Sequence, residues 1–409
     1  MASVIVVDND LKDSIKEYAQ VVDGLNGSTE LATKVNSLLP SQQDQAITNK
    51  KELYTTLQQA STVETLSKLT DKEFEPTIYL LIHILSELDS IDAVLNNESS
   101  PIYNLVLSLN PQQALSLRDR KSIRSTSVLS ILSTIFNLIP KTSKTRIYVI
   151  KQILKVIKTS EIEFNAIEDN ISANLVNWLQ ESSASEDEIK GIFWDFIALD
   201  KLHTLKSLNF IKTFTHDFSV SESELAKLIK FALVSKVVDV SFLVNNNVAS
   251  ALKNSNDKLS QLFTNYVKGE ILSIEDVSSA DSSLPADFIH QKSRILNLAR
   301  FFARKSLSSD HDDIVFKYSE IENVSSSIEL EELLVEAIKA GVLEGKINQI
   351  DETFFLTRVN RFILAGEEEA NVENWNLVKN SLQQWLDSIT NIDDIVRTTR
   401  ENLVNSSAN

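Results

Sequence analysis

Histidine is the side chain that most often supplies acid–base or metal chemistry near neutral pH, and this chain has five histidines. They lie in unrelated segments, at His83, His203, His216, His290 and His311. No H-E-x-x-H pattern or similar spacing brings two of them onto one helix face. We interpret His83, within the apolar segment LLIHIL, as a core residue, and the acids that follow His311 as hydrated. The histidines therefore predict neither a metal site nor an acid–base pair.

The segment GVLEGK at 341–346 has the glycines and lysine of a phosphate-binding loop but not their spacing. Three residues separate Gly341 from Gly345, where the motif needs four, and no Ser or Thr follows Lys346 to hold magnesium. The segment also follows a predicted helix instead of joining a strand to a helix. We expect no cofactor, no bound metal and no enzymatic activity.

Composition narrows the class of protein further. The chain has no cysteine, which excludes disulfides, thiol nucleophiles and cysteine-based zinc sites. Its net charge of −17 repels nucleic acid and anionic membranes, so a nucleic-acid contact would require a local patch. No apolar run approaches the roughly 18 residues of a membrane helix, and the first residues lack the basic flank of a signal peptide. We expect a protein with neither a membrane contact nor a DNA contact.

One local basic tract does occur, at 118–158, where ten Lys or Arg residues stand against the single acid Asp119. Lys144, Lys151, Lys155 and Lys158 fall on one side of a predicted helix whose other side is apolar. The tract is either a contact for RNA or an acidic partner, or a solvated surface that balances nearby acids. The candidate residues are Arg118, Arg120, Lys121, Arg124, Lys144, Lys151, Lys155 and Lys158.

The elements that position these residues are predicted to be helices. The chain has only 7 glycines and 6 prolines in 409 residues, which favours long helices joined by short connections. Apolar residues recur at spacings of three and four, and no strict repeat period is present. The pattern predicts an all-α fold, a curved array of antiparallel helix pairs with degenerate repeats. The predicted helices cover 10–22, 30–39, 42–59, 76–95, 122–138, 142–157, 164–179, 186–199, 202–214, 223–234, 240–246, 249–266 and 286–306.

The hydrophobic period changes within 326–361, from a helix to two short alternating strands. Ser326 and Glu329 fit a capping box at the helix start, and Gly341 stands where a left-handed residue ends a helix. Ile347, after Gly345, and the apolar residues from Phe354 onward predict a small β-hairpin. A helix followed by a hairpin at the end of a helical array is the layout of a winged helix.

The charge of this winged helix favours protein binding over DNA binding. Its helix has four glutamates and one lysine, Lys339, which is the wrong charge for DNA. The hairpin should expose a strand edge that a neighbouring subunit can extend. The candidate interface residues of the wing are Lys346, Ile347, Gln349, Phe354, Phe355, Leu356 and Arg358.

A heptad pattern marks the C-terminal helix, which follows the acidic segment at 365–374. The pattern favours docking against a partner helix, although the same residues could pack on their own domain. The candidate interface residues here are Trp375, Val378, Leu382, Trp385, Ile389, Ile392 and Val396.

Polar segments at 182–188, 277–285 and 306–313 are the candidate linkers. We therefore expect N-terminal helices at 1–60, a first helical array at 61–200, a second helical part at 201–310, the winged helix at 311–362 and the C-terminal helix at 373–405.

These segments together resemble the PCI domain, a helical-repeat and winged-helix module found in the proteasome lid, the signalosome and translation initiation factor 3. Within that group the chain is most similar to the m-subunit family of eukaryotic translation initiation factor 3. The resemblance covers about three quarters of the chain and is weak in the first 60 residues. The matching segments are 128–158, 228–247, 293–305, 336–357 and 373–389.

The resemblance implies a cytoplasmic, non-catalytic scaffold subunit that supports preinitiation complex assembly on the small ribosomal subunit. It implies that the winged helix pairs with other PCI and MPN-type subunits of the same complex, and that the last helix enters a shared bundle. The alternative is a scaffold subunit of the signalosome or the proteasome lid.

Overall fold

Amphipathic segments fold into helices along nearly all of the chain, because each segment carries an apolar stripe that another segment can cover. The computed structural model describes residues 9–40, 47–112, 122–160, 162–308, 315–321, 326–360 and 368–406. The chain divides into two units, Met1–Lys201 and Leu202–Asn409. The predicted helical-repeat fold with a winged helix near the C-terminus is confirmed.

The first unit is built only from helices in its described part. These are α1 (Leu11–Asn26), α2 (Glu30–Leu38), α3 (Lys50–Ala60), α4 (Val63–Leu66), α5 (Asp71–Leu88), α6 (Ile91–Leu95), α7 (Pro101–Ser108), α8 (Ser125–Leu138), α9 (Thr145–Thr159), α10 (Phe164–Ile171), α11 (Leu175–Glu181) and α12 (Glu186–Ile197).

Polar contacts show how α5 and α8 are aligned. The Asp71 carboxylate, at the start of α5, accepts from the Ser127 hydroxyl at 2.8 Å. Two turns further along, the Tyr79 hydroxyl lies 3.1 Å from that of Thr134. Contacts that advance together along both helices mean that α5 and α8 run in the same direction. Successive repeats of a helical array have this arrangement.

Polar residues that cap a helix alter two of the predicted boundaries in the first unit. Ser90 splits the predicted 76–95 helix, because its side chain accepts from the Ala93 amide and starts α6. The polar segment 182–188 is also more than a linker. Its Ser185 and Glu188 form a capping box at the start of α12. Short polar runs thus restart helices here without separating domains.

The second unit combines helices with a small sheet. Its elements are α13 (Leu205–Asp217), α14 (Glu222–Val234), α15 (Asn246–Asn254), α16 (Lys258–Val267), α17 (Ile274–Ala280), α18 (Ala286–Ser308), β1 (Val315–Lys317), α19 (Ser327–Lys339), β2 (Leu343–Asn348), β3 (Thr353–Val359) and α20 (Glu368–Ser406). The predicted helix at 240–246 is instead a single 3₁₀ turn at Ser241–Leu243. No helix in the described ranges is both long and apolar enough to cross a membrane.

A buried lysine joins α18 to the end of α14. Lys292 is 2% exposed. Its ammonium donates to the carbonyl oxygens of Ala232 and Ser235, each at 2.8 Å, and of Leu233 at 3.3 Å. The last carbonyls of a helix lack partners within the helix, so the lysine satisfies groups that would otherwise be buried alone. Burial lowers the pKa of Lys292 to about 7.

Replacing Lys292 with methionine should therefore destabilise the second unit. Lys292→Met keeps the apolar stem but leaves buried carbonyls unpaired, which costs about 1–3 kcal/mol. Because the folded pKa lies below the ordinary value of about 10.4, the unfolded chain binds more protons above pH 7. The stability difference between wild type and variant should then grow as the pH rises from about 7 to about 10. Urea unfolding at pH 6.5 and pH 9 measures it.

The matched control is Lys227→Met on the exposed side of α14, which should change stability by less than about 0.5 kcal/mol. Equal stability of the Lys292 and Lys227 variants, or a difference that shrinks as the pH rises, would contradict this role for Lys292.

Candidate functional site

The winged helix is formed by α18, β1, α19, β2 and β3. Ser326 caps α19, since its hydroxyl accepts from the Glu329 amide at 3.2 Å. The Glu329 carboxylate is paired with Arg294 of α18, so it ties two helices together. At the other end, Gly341 has a φ of 72°, and the Val342 amide donates back to Ala337 at 3.2 Å. The predicted glycine ending is confirmed.

The sheet differs from the predicted two-stranded hairpin. It has three antiparallel strands in the order β1-β3-β2, so both edges of β3 are paired. β2 also starts at Leu343, which places Gly345 inside the strand at a bulge. A three-residue strand such as β1 gives no periodic signal in the sequence. The edge available for extension along the hairpin is therefore that of β2.

Two of the predicted wing interface residues belong to the core. Phe354 is 0% exposed and Leu356 is 6% exposed. The Phe302 ring of α18 lies 5.2 Å from the Phe354 ring and 5.1 Å from the Phe316 ring of β1, measured between centroids. This aromatic cluster anchors the sheet to α18. Phe354 and Leu356 are thus corrected from interface to core, because they face inward on the strand.

The outward face of the sheet carries the other candidates. Strand register aligns Val315, Phe355 and Lys346 in a row across the three strands, and all three are exposed. Next to this row, Arg358 pairs with Glu344 at 3.1 Å. Val315 was missed by sequence reasoning because nothing marked 315–317 as a strand. A contact surface on the wing would combine this row with the β2 edge.

Most glutamates of α19 are engaged within the winged helix. Glu331 accepts from the Tyr318 hydroxyl at 3.2 Å and also from Gln349. Burial and the adjacent Glu331 raise the pKa of Tyr318 to about 12. Gln349, a predicted interface residue, therefore holds the turn of the hairpin against α19. Half-buried Ile347 lies on the inward side with Phe354.

The C-terminal helix α20 exposes the side chains of its heptad pattern. It has 39 residues and is about 58 Å long at 1.5 Å per residue. Trp375 is 63% exposed and Trp385 is 67% exposed. Val378 is half-buried, whereas the remaining candidates are exposed, namely Leu382, Ile389, Ile392 and Val396. Packing of these side chains on their own domain, the alternative drawn from the sequence, is not what the structure shows.

The apolar face of α20 is wider than the predicted seam. Leu386 and Ile395 are exposed as well, and they flank the heptad positions. At 100° per residue, the stripe from Trp375 to Val396, with Leu386 and Ile395 at its two margins, covers about 180° of the helix. A two-helix coiled coil needs a narrower seam, so this width fits contact with more than one partner helix. The i, i+4 spacing of Leu382 and Leu386 was the signal that could have shown it.

The basic tract is partly neutralised by nearby acids. Arg118, Arg120 and Lys121 lie outside the described residues. Arg124 lies 3.7 Å from Asp71, and Lys151 lies 3.2 Å from Glu188. Lys144, Lys155 and Lys158 are exposed, and no acid of the described ranges lies within 4.0 Å of them. Charge balance therefore accounts for some of these residues, whereas Lys155 and Lys158 of α9 have no acidic partner among the described residues.

Histidine and acidic side chains are the groups that could bind a metal ion in this cysteine-free chain. Its His, Asp and Glu side chains nowhere form a group of three or more that could hold a metal ion. His203 packs on the Phe231 ring, and His290 hydrogen-bonds the Leu272 carbonyl, so both contribute to packing. His311 falls outside the described residues. The exposed surfaces of the wing and of α20 are the candidate contact surfaces of the second unit.

Comparison with known proteins shows which proteins this chain resembles. No protein-family model matches the chain. Proteins described as eukaryotic translation initiation factor 3 subunit M match it from end to end. The chain is a distant relative of subunit M. Subunit M of Emericella nidulans is 25% identical over 448 residues, which cover 100% of this chain and 92% of that protein.

Other subunit M proteins give the same result. Those of Aspergillus terreus and Phaeosphaeria nodorum are 25% and 24% identical, and each alignment covers 98% of this chain and 89% of the relative. The resemblance to subunit M inferred from the sequence is thus confirmed, and the signalosome and proteasome lid are not favoured.

A substitution at Gly345 should disrupt the wing. A methyl group there would lie 2.5 Å from the Phe355 carbonyl oxygen and still closer to the Phe354 ring. Gly345→Ala should therefore lower the free energy of unfolding by about 1–3 kcal/mol through overpacking. Thermal unfolding followed by circular dichroism measures the change.

Gly191→Ala is the matched control, since a methyl group at that helical position meets nothing within 4 Å. It should leave stability unchanged or raise it by up to about 1 kcal/mol. If the two substitutions changed the free energy of unfolding equally, the result would contradict the close packing of Gly345 against β3.

Proposed function

We propose that the chain is a non-catalytic scaffold subunit of translation initiation factor 3, acting in the cytoplasm. In this role it supports preinitiation complex assembly on the small ribosomal subunit. Its second unit is assigned as a PCI domain, formed by a helical array and a winged helix. Its partners are other PCI and MPN-type subunits of the same complex. Full-length similarity to subunit M proteins supports this proposal.

The single observation that carries the proposal is the uncovered apolar face of α20. Two tryptophans and several aliphatic residues lie exposed along one stripe. Large exposed apolar surfaces mark sites of protein contact, because leaving them in water costs free energy in proportion to their area. Tryptophan is also enriched among the residues that dominate binding energy at interfaces. We assign this face to a helical bundle shared with neighbouring subunits.

The wing supplies a second contact in the proposed assembly. Its β2 edge has backbone groups that can pair with another strand, and the row through Phe355 gives an adjoining side-chain surface. Lys346 places a positive charge on the same surface, next to the Arg358–Glu344 ion pair. A neighbouring winged helix that offers a strand edge and an acid would satisfy both features.

Purification of the tagged chain tests the assembly directly. The chain should copurify with the other subunits of factor 3 and cosediment with small ribosomal subunits on sucrose gradients. Recovery with a deneddylase or with proteasome lid subunits, in place of factor 3, would refute the proposal. Both sets of proteins are identified by mass spectrometry of the same eluate.

Charges placed on the apolar face of α20 should release the chain from its proposed complex. The double variant Trp385→Glu and Ile392→Glu should reduce copurified factor 3 subunits at least about tenfold, because each buried anchor contributes on the order of 2 kcal/mol. Both side chains are exposed in the free chain, so its helical circular dichroism should not change.

The control adds the same two charges to the opposite side of α20, as Asn380→Glu and Asn391→Glu, which should leave recovery unchanged. Normal recovery of the Trp385 and Ile392 variant would show that α20 does not hold the chain in its complex.

A further inference from the structure

The end of the winged helix at which α19 begins carries exposed apolar side chains. Ile350, at the tip of the turn between β2 and β3, is 94% exposed, and Ile328, in the first turn of α19, is 72% exposed. Val335, also exposed, follows Ile328 by two helical turns, so both lie on the outer side of α19 about 10 Å apart. A second helix packing alongside α19 would contact residues at this spacing.

The hairpin turn that presents Ile350 is fixed against the start of α19. The Gln349 side chain, next to Ile350, donates to the Glu331 carboxylate of α19. On the other side of the tip, the Glu352 carboxylate accepts from the Ser327 hydroxyl of α19 at 3.2 Å. Ile350 is therefore held beside α19 by contacts from both sides of the turn. An apolar side chain on such a fixed turn loses little entropy when a partner covers it.

The acids around this tip keep their negative charge, because the groups that donate to them are neutral. Glu331 accepts from a tyrosine hydroxyl and an amide, and Glu352 accepts from a serine hydroxyl. Asp351 accepts from the Asn348 amide at 2.8 Å. No basic side chain of the described ranges lies within 4.0 Å of these three carboxylates. Lys317, at the end of β1, is exposed on the outward face of the sheet with Val315.

The pKa of Tyr318 is raised by the same negative field. Its hydroxyl donates to Glu331 at 3.2 Å, and its amide donates to the Glu352 carbonyl oxygen at 2.9 Å. Burial, together with the charges of Glu331 and Glu352, raises the pKa of Tyr318 to about 12. The exposed Glu332 adds a fourth acid at this end of α19. The exposed apolar residues are thus bordered by negative charge.

The chemistry of this surface favours a basic protein segment as its ligand. Within the described ranges, no three His, Asp or Glu side chains come together to hold a metal ion. Nucleic acids and anionic membranes carry the same sign of charge as the acids and would be repelled. Lysine and arginine side chains pair with single carboxylates, and their apolar stems can lie against isoleucine. An amphipathic helix with a basic flank therefore matches both the charge and the apolar residues.

We propose that the surface formed by Ile328, Val335 and Ile350 binds a basic amphipathic helix of a partner protein. The apolar side chains of that helix cover these three residues. Its lysines and arginines pair with the bordering acids, namely Glu331, Glu332, Asp351 and Glu352. The surface uses different residues from α20 and from the outward face of the sheet, so it does not rest on the proposed function.

The test titrates the full chain into a labelled synthetic helix and follows its fluorescence anisotropy. The probe has about 20 residues, long enough to form a helix, with leucines at i, i+4 and i+7 and lysines on the adjoining flank. A probe with glutamates in place of its lysines should bind at least about tenfold more weakly. In the chain labelled with 3-fluorotyrosine, the ¹⁹F signal of Tyr318, assigned with Tyr318→Phe, should shift on binding. The signal of Tyr18, fully buried in the first unit, should not shift.

Removing the bordering charges should weaken binding of the probe. The acid variant combines Glu332→Gln, Asp351→Asn and Glu352→Gln, which keep a hydrogen-bond acceptor at each position. It should bind about tenfold more weakly at low salt, and added salt should reduce the difference. The matched control removes three exposed acids of the first unit and should bind as wild type. Its substitutions are Glu64→Gln, Asp92→Asn and Glu98→Gln.

A substitution at the turn tip tests the apolar contact separately. Ile350→Ser should weaken binding several-fold without changing its salt dependence, because no charge is removed. The side chain is 94% exposed, so the thermal unfolding of the chain should stay as in wild type. The control is Ile274→Ser at the start of α17, where isoleucine is also exposed, and it should bind the probe as wild type.

The apolar face of α20 could also attract the probe, so the Trp385→Glu and Ile392→Glu variant is titrated as well. Binding should persist in that variant, which separates this test from the test of the proposed function. Loss of binding in the α20 variant, with binding kept in the acid variant, would overturn the proposal by placing the probe on α20. Absence of probe binding, or equal affinity in the acid variant and its control, would also overturn it.

Discussion

Burial of one apolar face per helix is the constraint on which this molecule depends. Free energy gained by removing apolar surface from water has to offset the entropy lost when each helix is ordered. The helices of the arrays satisfy the constraint within the chain, as the fully buried Ile15, Phe74 and Phe263 show. The described part of α20 does not, because its tryptophans remain in solvent. This uncovered apolar face is the physical basis of the proposal that the chain is a subunit of a larger assembly.

The helix α18 connects the array of the second unit to its winged helix. Lys292 fixes α18 to the end of α14, Arg294 ties it to α19, and Phe302 packs against the sheet. One helix thus carries a polar contact, an ion pair and an aromatic cluster within three turns. As a result the outward face of the sheet is held by a rigid support, which reduces the entropy lost when a partner binds. An assembly surface benefits from this arrangement.

Much of this fold could be predicted from the sequence, because the three- and four-residue period persists through each helix. Helix breaks such as that at Ser90 could not be predicted, because the helices on the two sides of the break continue the same apolar pattern. The periodic signal also fails for the three residues of β1. Without β1, Phe354 and Phe355 look equivalent. Only the position of Phe302 decides that Phe354 is buried and Phe355 exposed.

For the candidate site, too, sequence patterns predict some features and not others. A heptad pattern identifies the apolar face of α20 but does not say what covers that face. Likewise, the number of lysines in the basic tract does not reveal which of them find an acid. Glu188, the partner of Lys151, is 37 residues away in the sequence and meets it only through folding. Contacts of this kind depend on tertiary structure.

Photocrosslinking from α20 tests the central claim most directly. The photoreactive residue p-benzoylphenylalanine would replace Trp385, and the chain would be irradiated in cells and purified under denaturing conditions. A covalent adduct with another subunit of translation initiation factor 3 is the predicted product. A crosslink confined to the chain itself, or an adduct with a signalosome subunit, would contradict the account.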